Sequence, residues 1–345
     1  MIQYNIEALN TEKAEALQQK MDLKTKPLGS LGKLEEMAKH IGCIQNTLSP
    51  ELKKPVIMVF AADHGIANDG VSPYPQEVTW QMVANFMGGG AAINVFGKQH
   101  DIDIRIIDAG VNYDFDKSSG VLNAKIAHGT KSYLNESAMT TEQFEQAMKR
   151  GSDLVERIHS EGSNIIGFGE MGIANTSAAA IILHLLSNIE LSACVGRGTG
   201  WDEEGLQRKY EILGRALSKY RGTNKAEEVL TYFGGFEIVM IAGAMLKAAE
   251  LKMTIMVDGF IITSALLAAS KMNANILDYC IFTHKSQEKG HQLMLDQLKA
   301  KPLLDMGMRL GEGTGAAVAF PLIQSAVNFL NEMASFEDAG VSNAD

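Results

Sequence analysis

The chain has 345 residues, and 46% of them are hydrophobic, which is enough for a sizeable core. A net charge of -10 argues against nucleic acid as a partner, because such a surface must neutralise phosphates. Three scattered cysteines suit neither a disulfide framework nor a Cys-x-x-Cys metal site, and they indicate a reducing compartment. The N-terminus lacks secretory features, and no apolar run reaches membrane-spanning length. We therefore expect a cytoplasmic protein with no role at a membrane.

The two ends of the chain predict helices that pack together. Ile6, Leu9 and Leu17 recur at helical spacing within the first twenty or so residues, which should form a helix ahead of the sheet. A second helical run begins near the end of the chain, and Pro321 within it should bend or interrupt the helix. We expect residues 1–25 and 321–345 to form a small helical subdomain beside a large α/β domain of residues 26–320 that carries the site.

Five short apolar runs predict buried strands, because they are rich in β-branched residues and stop at a small or acidic residue. In chain order they are PVIMVFAADHG, DIRIIDAG, NIIGFGEMG, MTIMVDGF and ILDYCIFTH. Helical segments lie between them, so the fold class should be α/β, with a parallel Rossmann-like sheet and flanking helices. Ligands bind such sheets at the carboxyl ends of the strands, and the side chains there should cluster. These residues are Asp63, His64, Asp108, Gly169, Glu170 and Asp258.

The stretch IIGFGEMGIANTSAAA, residues 165–180, joins a strand to a helix through a glycine-rich turn. A helix N-terminus has free N–H groups that attract phosphate, so the turn suits a mononucleotide phosphate. It does not fit a dinucleotide fingerprint, since no acidic residue ends a following strand about twenty residues later. An ordinary strand-to-helix turn is an equal alternative. Glu170 favours a functional site, because placing a carboxylate at the carboxyl edge of a sheet costs free energy unless the group has a role there.

Two further loops and one histidine have weaker patterns. The loop of residues 195–209 leads into a helix whose early acids, Asp202 to Glu204, should serve the helix dipole, while Lys209 either reaches a phosphate or lies in solvent. The loop THKSQEKG, residues 283–290, offers a hydroxyl and backbone N–H groups. His64 lacks the spacing of a metal site, so a structural hydrogen bond is the better interpretation.

Soft apolar side chains follow the first strand. Tyr74, Met82, Phe86 and Met87 lie along a turn and a helix, and such a stripe is more often core than ligand wall. A flat aromatic substrate would also suit these side chains. Composition alone does not separate the two interpretations.

A carboxylate, Glu312, lies between two glycines just before the last helix, in RLGEGTGAAVAF. It could cap that helix, because helix N-termini favour negative charge. Alternatively, glycines allow a ligand to come close, and Glu312 would then accept a proton in a reaction. No GxSxG elbow, Walker loop or kinase signature is present, so chemistry would depend on carboxylates and backbone N–H groups.

Together these stretches resemble a known family over nearly the whole chain, from about Lys24 to beyond Phe320. The motifs are KTKPLGSLGKLE, ADHG followed by VSPYPQEVT, GFGEMGIANTS, YFGGFEI, VDGFI and MRLGEGTGAA. They occur in the order seen in the nicotinate-nucleotide:dimethylbenzimidazole phosphoribosyltransferase (CobT) family. The resemblance implies transfer of phosphoribose from nicotinate mononucleotide to an aromatic base, giving an α-riboside phosphate for the lower ligand of a cobamide.

The resemblance also implies roles for particular residues. Glu312 would be the general base, and Glu170 would lie near the ribose and stabilise developing positive charge. The phosphoribose pocket would contain Gly169, Gly172, Ala174, Asn175, Lys209, Ser286 and Gly290. The aromatic-base pocket would contain Tyr74, Met82, Met171 and Leu310. No metal and no cofactor are expected, since nicotinate bonded to ribose already leaves as a neutral ring.

One departure from the family concerns the acceptor. In its best-known members a serine and a glutamine align with Tyr74 and Met82, and a leucine aligns with Met171. Loss of hydrogen-bonding groups can change substrate preference by orders of magnitude, so the acceptor is a substituted benzimidazole, a purine, or a phenol such as p-cresol. We also expect a dimer, because the family completes its active site with a neighbouring subunit. The partner is either an identical chain or a paralogue.

Overall fold

The computed structural model describes residues 2–198 and 200–342. Its described residues form a six-stranded sheet in the order β3-β2-β1-β4-β5-β6, and every neighbouring pair is parallel. The strands are β1 (Val56–Ala62), β2 (Asp103–Gly110), β3 (Leu122–Asn123), β4 (Ile165–Met171), β5 (Thr254–Val257) and β6 (Cys280–Phe282). The predicted α/β class with a parallel Rossmann-like sheet is therefore confirmed. All five predicted strands are present, and only the short β3 was missed.

Helices cover both faces of the sheet. Met58 and Phe60 of β1 belong to the same core cluster as most of α10, while Ile57 and Val59 face the opposite cluster, which includes α13. This alternation follows from the two-residue period of a strand. The helices are α1 (Ala14–Asp22), α2 (Lys33–Ile44), α3 (Val78–Met87), α4 (Ala92–Gln99), α5 (Thr141–Ser160), α6 (Asn175–Ser187), α7 (Leu191–Cys194), α8 (Glu203–Lys219), α9 (Ala226–Phe233), α10 (Phe236–Glu250), α11 (Phe260–Met272), α12 (His291–Gln297), α13 (Thr314–Glu332) and α14 (Phe336–Ala339). Within the described ranges, none is long and apolar enough to cross a membrane.

The start of the chain differs from the predicted helix, which is wrong for residues 2–10. There the backbone bonds to side chains of distant elements: the N–H of Asn5 donates to Glu250 at 2.7 Å, and that of Leu9 donates to Asp278 at 3.0 Å. These partners replace the internal hydrogen bonds of a helix. The helical pattern is realised only in α1.

The helix α13 passes through Pro321 without interruption, contrary to one of the two expected effects. Proline removes one N–H and disfavours a helix interior, but Phe320 and Ile323 on either side are buried in the core. Tertiary packing therefore outweighs the local cost of the proline.

The two chain ends meet. An antiparallel bridge joins Lys24 to Ser335, and the Lys24 ammonium donates to the carbonyl of Met333. The helix α13 also contacts α2 and β4. The division into residues 1–25 with 321–345 and residues 26–320 stays a prediction, and residues 343–345 lie outside the described residues.

Candidate active site

A cleft of about 380 Å³ opens at the carboxyl ends of β4, β5 and β6, where parallel sheets bind ligands. Its volume suits a small molecule. Turns after these strands, the start of α3 and residues 309–312 enclose it. The lining residues are Tyr74, Val78, Met82, Glu170, Met171, Gly172, Ile173, Asn175, Thr176, Gly198, Asp258, Gly259, Phe260, Ile261, Ile262, His284, Ser286, Glu288, Arg309, Leu310, Gly311 and Glu312.

Most residues that sequence reasoning assigned to the site line this cleft. The structure brings together Glu312, Glu170, Gly172, Asn175, Ser286, Tyr74, Met82, Met171 and Leu310. Four others lie outside the lining: Gly169, Ala174, Lys209 and Gly290.

These four residues support the wall of the cleft from behind. A Cβ on Gly169 would lie 2.3 Å from the backbone oxygen of Glu312, so this glycine lets β4 approach the turn at residue 312. Ala174 precedes α6 with a positive φ of 78°. Gly290 precedes α12 and packs against Phe260.

Lys209 is buried and points toward the first turn of α6. Its ammonium donates to the Thr176 hydroxyl at 2.9 Å, and Thr176 lines the cleft. Burial lowers the pKa of Lys209 to about 8, and the nearby Glu288 carboxylate opposes that shift. The solvated alternative for Lys209 is therefore wrong, because the side chain is buried and its ammonium bonds to Thr176.

Besides Gly169, three of the strand-end residues lie outside the cleft, so the expected cluster forms only in part. Asp63 accepts the N–H of Asn112 at 2.8 Å, and Asp108 pairs with Lys125. His64 lies 2.6 Å from a carboxylate oxygen of Glu237, also fully buried. Each of these side chains bonds to or pairs with a group outside the cleft, which agrees with the structural role predicted for His64.

Glu312 sits on a tight turn whose backbone is unusual. Gly311, Glu312 and Gly313 all have positive φ, at 87°, 63° and 85°, and this region is unfavourable for a glutamate. The N–H groups of Gly313 and Ala316 donate to the carboxylate of Asp258, each at 3.2 Å. Asp258 therefore caps α13, and the simple capping interpretation of Glu312 is wrong.

The Glu312 side chain is buried at the lining of the cleft. It is only 6% exposed, and among the described residues its Oε2 has no hydrogen-bond partner. Burial raises the pKa of Glu312, a hydrogen bond from the backbone N–H of Ile93 opposes this, and the charge of Asp258 adds to it. A buried carboxylate with a free oxygen and a raised pKa is suited to accept a proton.

Glu170 lies beside the same turn. Its carboxyl group accepts hydrogen bonds from the Asn175 amide and from the backbone N–H of Glu312. Burial raises the pKa of Glu170 to about 8, helped by the charges of Glu237 and Asp258 and opposed by those hydrogen bonds. With this pKa, the group is mostly protonated at neutral pH.

The opposite part of the cleft suits an anion. The helix α6 begins at Asn175, so the positive end of its dipole faces the lining. Thr176 and Ser286 supply hydroxyl groups there, and Arg309 extends toward the carbonyl of Gly198. Burial raises the pKa of Glu288, although Lys209 and Arg309 oppose the shift.

The remaining wall is apolar and open. Tyr74 is 48% exposed and Leu310 is 58% exposed, while Met82 and Met171 are half-buried between them and the core. Phe86, from the same predicted stripe, is buried in the core instead. Met82 and Phe86 are four residues apart and share one face of α3, so the stripe divides along the helix: Met82, nearer its start, lines the cleft, whereas Phe86 packs in the core.

Several lining residues were missed by sequence reasoning. His284 is the second residue after β6, so the strand-end argument that found Asp258 would have found it too. Glu288 and Arg309 lie in irregular parts of two stretches described above, THKSQEKG and RLGEGTGAAVAF, but other residues of those stretches were assigned to the site. Within residues 2–198 and 200–342, no group of three or more His, Cys, Asp or Glu side chains could hold a metal ion.

Comparison with known proteins identifies the family of this chain. The sequence matches the model of a phosphoribosyltransferase family over residues 6–341. A protein of Dechloromonas aromatica named nicotinate-nucleotide--dimethylbenzimidazole phosphoribosyltransferase is 55% identical over 331 residues, covering 95% of each chain. A protein of Phocaeicola vulgatus with the same name is 46% identical and covers 99% of each chain.

Solved structures agree. The crystal structure of the similarly named enzyme from Thermus thermophilus has a TM-score of 0.91 at 40% identity, covering 97% of this chain and all of that one. A second structure, of CobT from the same organism, has a TM-score of 0.92 at 41% identity, covering 96% of this chain and all of that one. This chain therefore belongs to the phosphoribosyltransferase family of these enzymes, and it is a pentosyltransferase.

Proposed function

We propose that this enzyme transfers 5-phosphoribose from nicotinate mononucleotide to 5,6-dimethylbenzimidazole or a related aromatic base. The product would be an α-riboside phosphate for the lower ligand of a cobamide, together with free nicotinate. The observation that carries the proposal is the placement of Glu312 and Glu170 in one cleft, between an anion-binding helix end and an apolar wall. The names of the relatives favour the same reaction.

The donor would bind across the cleft. Its 5′-phosphate suits the N-terminus of α6 with the hydroxyls of Thr176 and Ser286, and Lys209 would add positive charge from behind Thr176. Phosphate binding would raise the lowered pKa of Lys209, because the charged form gains a partner. The ribose would then lie near Glu170 and Asn175, and Gly169 with Gly172, Ala174 and Gly290 would keep these walls close.

The chemistry needs one proton acceptor. Nicotinate joined to ribose is a pyridinium, so it leaves as a neutral ring with the electron pair of the breaking C–N bond. The acceptor nitrogen of the base attacks C1′ from the opposite face and forms the new bond, which explains inversion from β to α. Glu312 takes the proton that the base must lose, and the cleft holds the two substrates in line.

Glu170 would respond to the charge of the donor. The positive pyridinium lowers the pKa of a neighbouring carboxyl group, so donor binding would ionise Glu170. The ionised group would then stabilise positive charge that develops on the ribose in the transition state.

A phenolic acceptor is the second candidate, favoured by the side chains of the apolar wall. Tyr74, Met82 and Met171 line the cleft without the amide and hydroxyl that the resemblance places at two of these positions. A phenol would attack C1′ through its oxygen, and Glu312 would then accept the proton of the phenolic hydroxyl. A homodimer, or a heterodimer with a paralogue, stays our prediction for the assembly.

Incubation of the pure protein with nicotinate mononucleotide and a panel of bases tests these proposals. We expect chromatography to detect free nicotinate together with an α-riboside phosphate of a benzimidazole. Product from phenol or p-cresol alone would instead support the second candidate. Absence of product with every base would contradict both, and would favour a partner subunit that does not turn over on its own.

A further inference from the structure

The turn that carries Glu312 is held at three backbone N–H groups. Those of Gly313 and Ala316 donate to the two carboxylate oxygens of Asp258, and that of Glu312 is hydrogen-bonded to Glu170. Three successive residues with positive φ include one glutamate, whose conformation is costly unless its surroundings impose it. The carboxylate of Asp258 supplies most of these fixing contacts.

His284 lies beside Asp258, and both side chains line the cleft. One ring nitrogen, Nε2, is 3.4 Å from Oδ1 of Asp258, and both side chains are nearly fully buried. Burial alone would lower the pKa of His284, but the interaction with Asp258 outweighs it and raises the pKa. A Cβ on Gly315 would lie 1.9 Å from the His284 ring, so this position leaves room only for glycine.

We propose that Asp258 is a positioning residue that aims Glu312 at the acceptor, with His284 holding Asp258 in place. The inference rests on the proposed function, because it gives Glu312 the role of base. Asp258 binds the backbone on both sides of the helix start, so its loss frees the turn to relax toward ordinary φ values. The Glu312 carboxylate then leaves its position in the cleft.

Asp258 also acts on Glu312 through its charge. The groups that face this turn are Asp258 and His284, from the loops after β5 and β6, and Glu170 from β4. The negative charge of Asp258 is one cause of the raised pKa of Glu312. Its removal should lower that pKa, and a reaction that needs the ionised base should then begin at lower pH.

The test is Asp258→Asn, assayed with nicotinate mononucleotide and 5,6-dimethylbenzimidazole across pH. We expect kcat to fall by about 10–100-fold while KM for the nucleotide changes by less than about threefold, and the acid limb of the pH profile to move to lower pH. His284→Gln should lower kcat in the same direction by a smaller factor. A wild-type kcat and acid limb in Asp258→Asn would overturn the proposal, as would a fall in kcat with an unmoved limb.

A matched control uses another buried strand-end carboxylate. Asp108 accepts the N–H of Val111 and pairs with Lys125 outside the cleft, so Asp108→Asn should lose stability but keep both kcat and the acid limb. If thermal melting shows that Asp258→Asn does not fold, an unchanged kcat in His284→Gln overturns the proposal. An active wild type with an inactive Glu312→Gln and a normal Asp258→Asn would refute only this inference. An unaffected Glu312→Gln would instead refute the proposed base.

Discussion

The two walls of the cleft are built in opposite ways. On the carboxylate side, Glu170, Asp258 and Glu312 are 6% exposed or less, and their groups are tied to backbone N–H donors. On the acceptor side, Tyr74 and Leu310 are about half exposed. The first wall is fixed by backbone N–H groups of the turn at residues 311–313 and of the start of α13, whereas the second consists of half-exposed side chains.

This difference separates chemistry from selectivity. A buried carboxylate can serve as a base only if its position and pKa are imposed by fixed neighbours, and the sheet edge supplies them. An open apolar wall instead selects among flat molecules by shape and by the few hydrogen bonds it offers. Changes on the carboxylate side should therefore affect turnover with every acceptor, while changes on the other side should alter the ranking of acceptors.

The largest effect should follow Glu312→Gln. The amide is nearly isosteric, so fold and nucleotide binding should persist, while turnover falls by about 10²–10⁴-fold, as expected for a lost general base. Because the raised pKa of Glu312 places its ionisation above the ordinary range, wild-type activity should fall as pH drops through that higher pKa. Steady-state kinetics across pH with two acceptors measure both effects.

The control for this variant is Glu332→Gln, which removes an exposed carboxylate near the far end of the same helix. It should leave turnover at the wild-type level. If Glu312→Gln instead keeps wild-type rates with every base, the assignment is wrong, and Glu170 becomes the next candidate. Such a result would also remove the distinction between the two walls.

A smaller effect should follow exchange of the acceptor wall. In the double variant Tyr74→Ser and Met82→Gln, the wall regains two hydrogen-bonding groups, which favour a nitrogen base over a phenol. We expect the ratio of kcat/KM for 5,6-dimethylbenzimidazole to that for p-cresol to rise by about tenfold or more. Competition assays with both acceptors measure the ratio. Equal losses with both acceptors would mean that this wall does not select.

Glu170 provides a prediction about stability rather than turnover. Burial raises its pKa from the model-compound value of 4.5 to about 8, so the folded protein holds a proton that the unfolded chain releases between these values. Its contribution to the free energy of unfolding is full below the unfolded pKa and is lost as pH rises through about 8. Relative to Glu170→Gln, the wild type should therefore lose Tm as pH rises across this window. A constant difference in Tm would contradict the prediction.

The elements of the carboxylate wall could be predicted from the sequence more easily than its internal contacts. Apolar runs that end at Glu170 and Asp258 located two strand ends, since strand burial is a local pattern. Nothing local shows that Asp258 accepts N–H groups more than 50 positions later, at Gly313 and Ala316, because that contact depends on how β5 and α13 pack. The expected helix over residues 2–10 failed for the same reason, since side chains of distant elements bind that backbone.

The smallest effect should follow removal of metal ions. In the proposed reaction the departing nicotinate is neutral once its bond to C1′ breaks, so no developing negative charge on the leaving group needs a Lewis acid. Positive charge on the ribose would be met by Glu170, and the one proton to be removed goes to Glu312, so the carboxylate wall supplies both functions. Exhaustive chelation should therefore leave kcat and KM unchanged, with a chelator saturated by calcium as the control. A strict requirement for a divalent ion would mean that the two carboxylates serve as metal ligands. The roles assigned to the carboxylate wall would then be wrong.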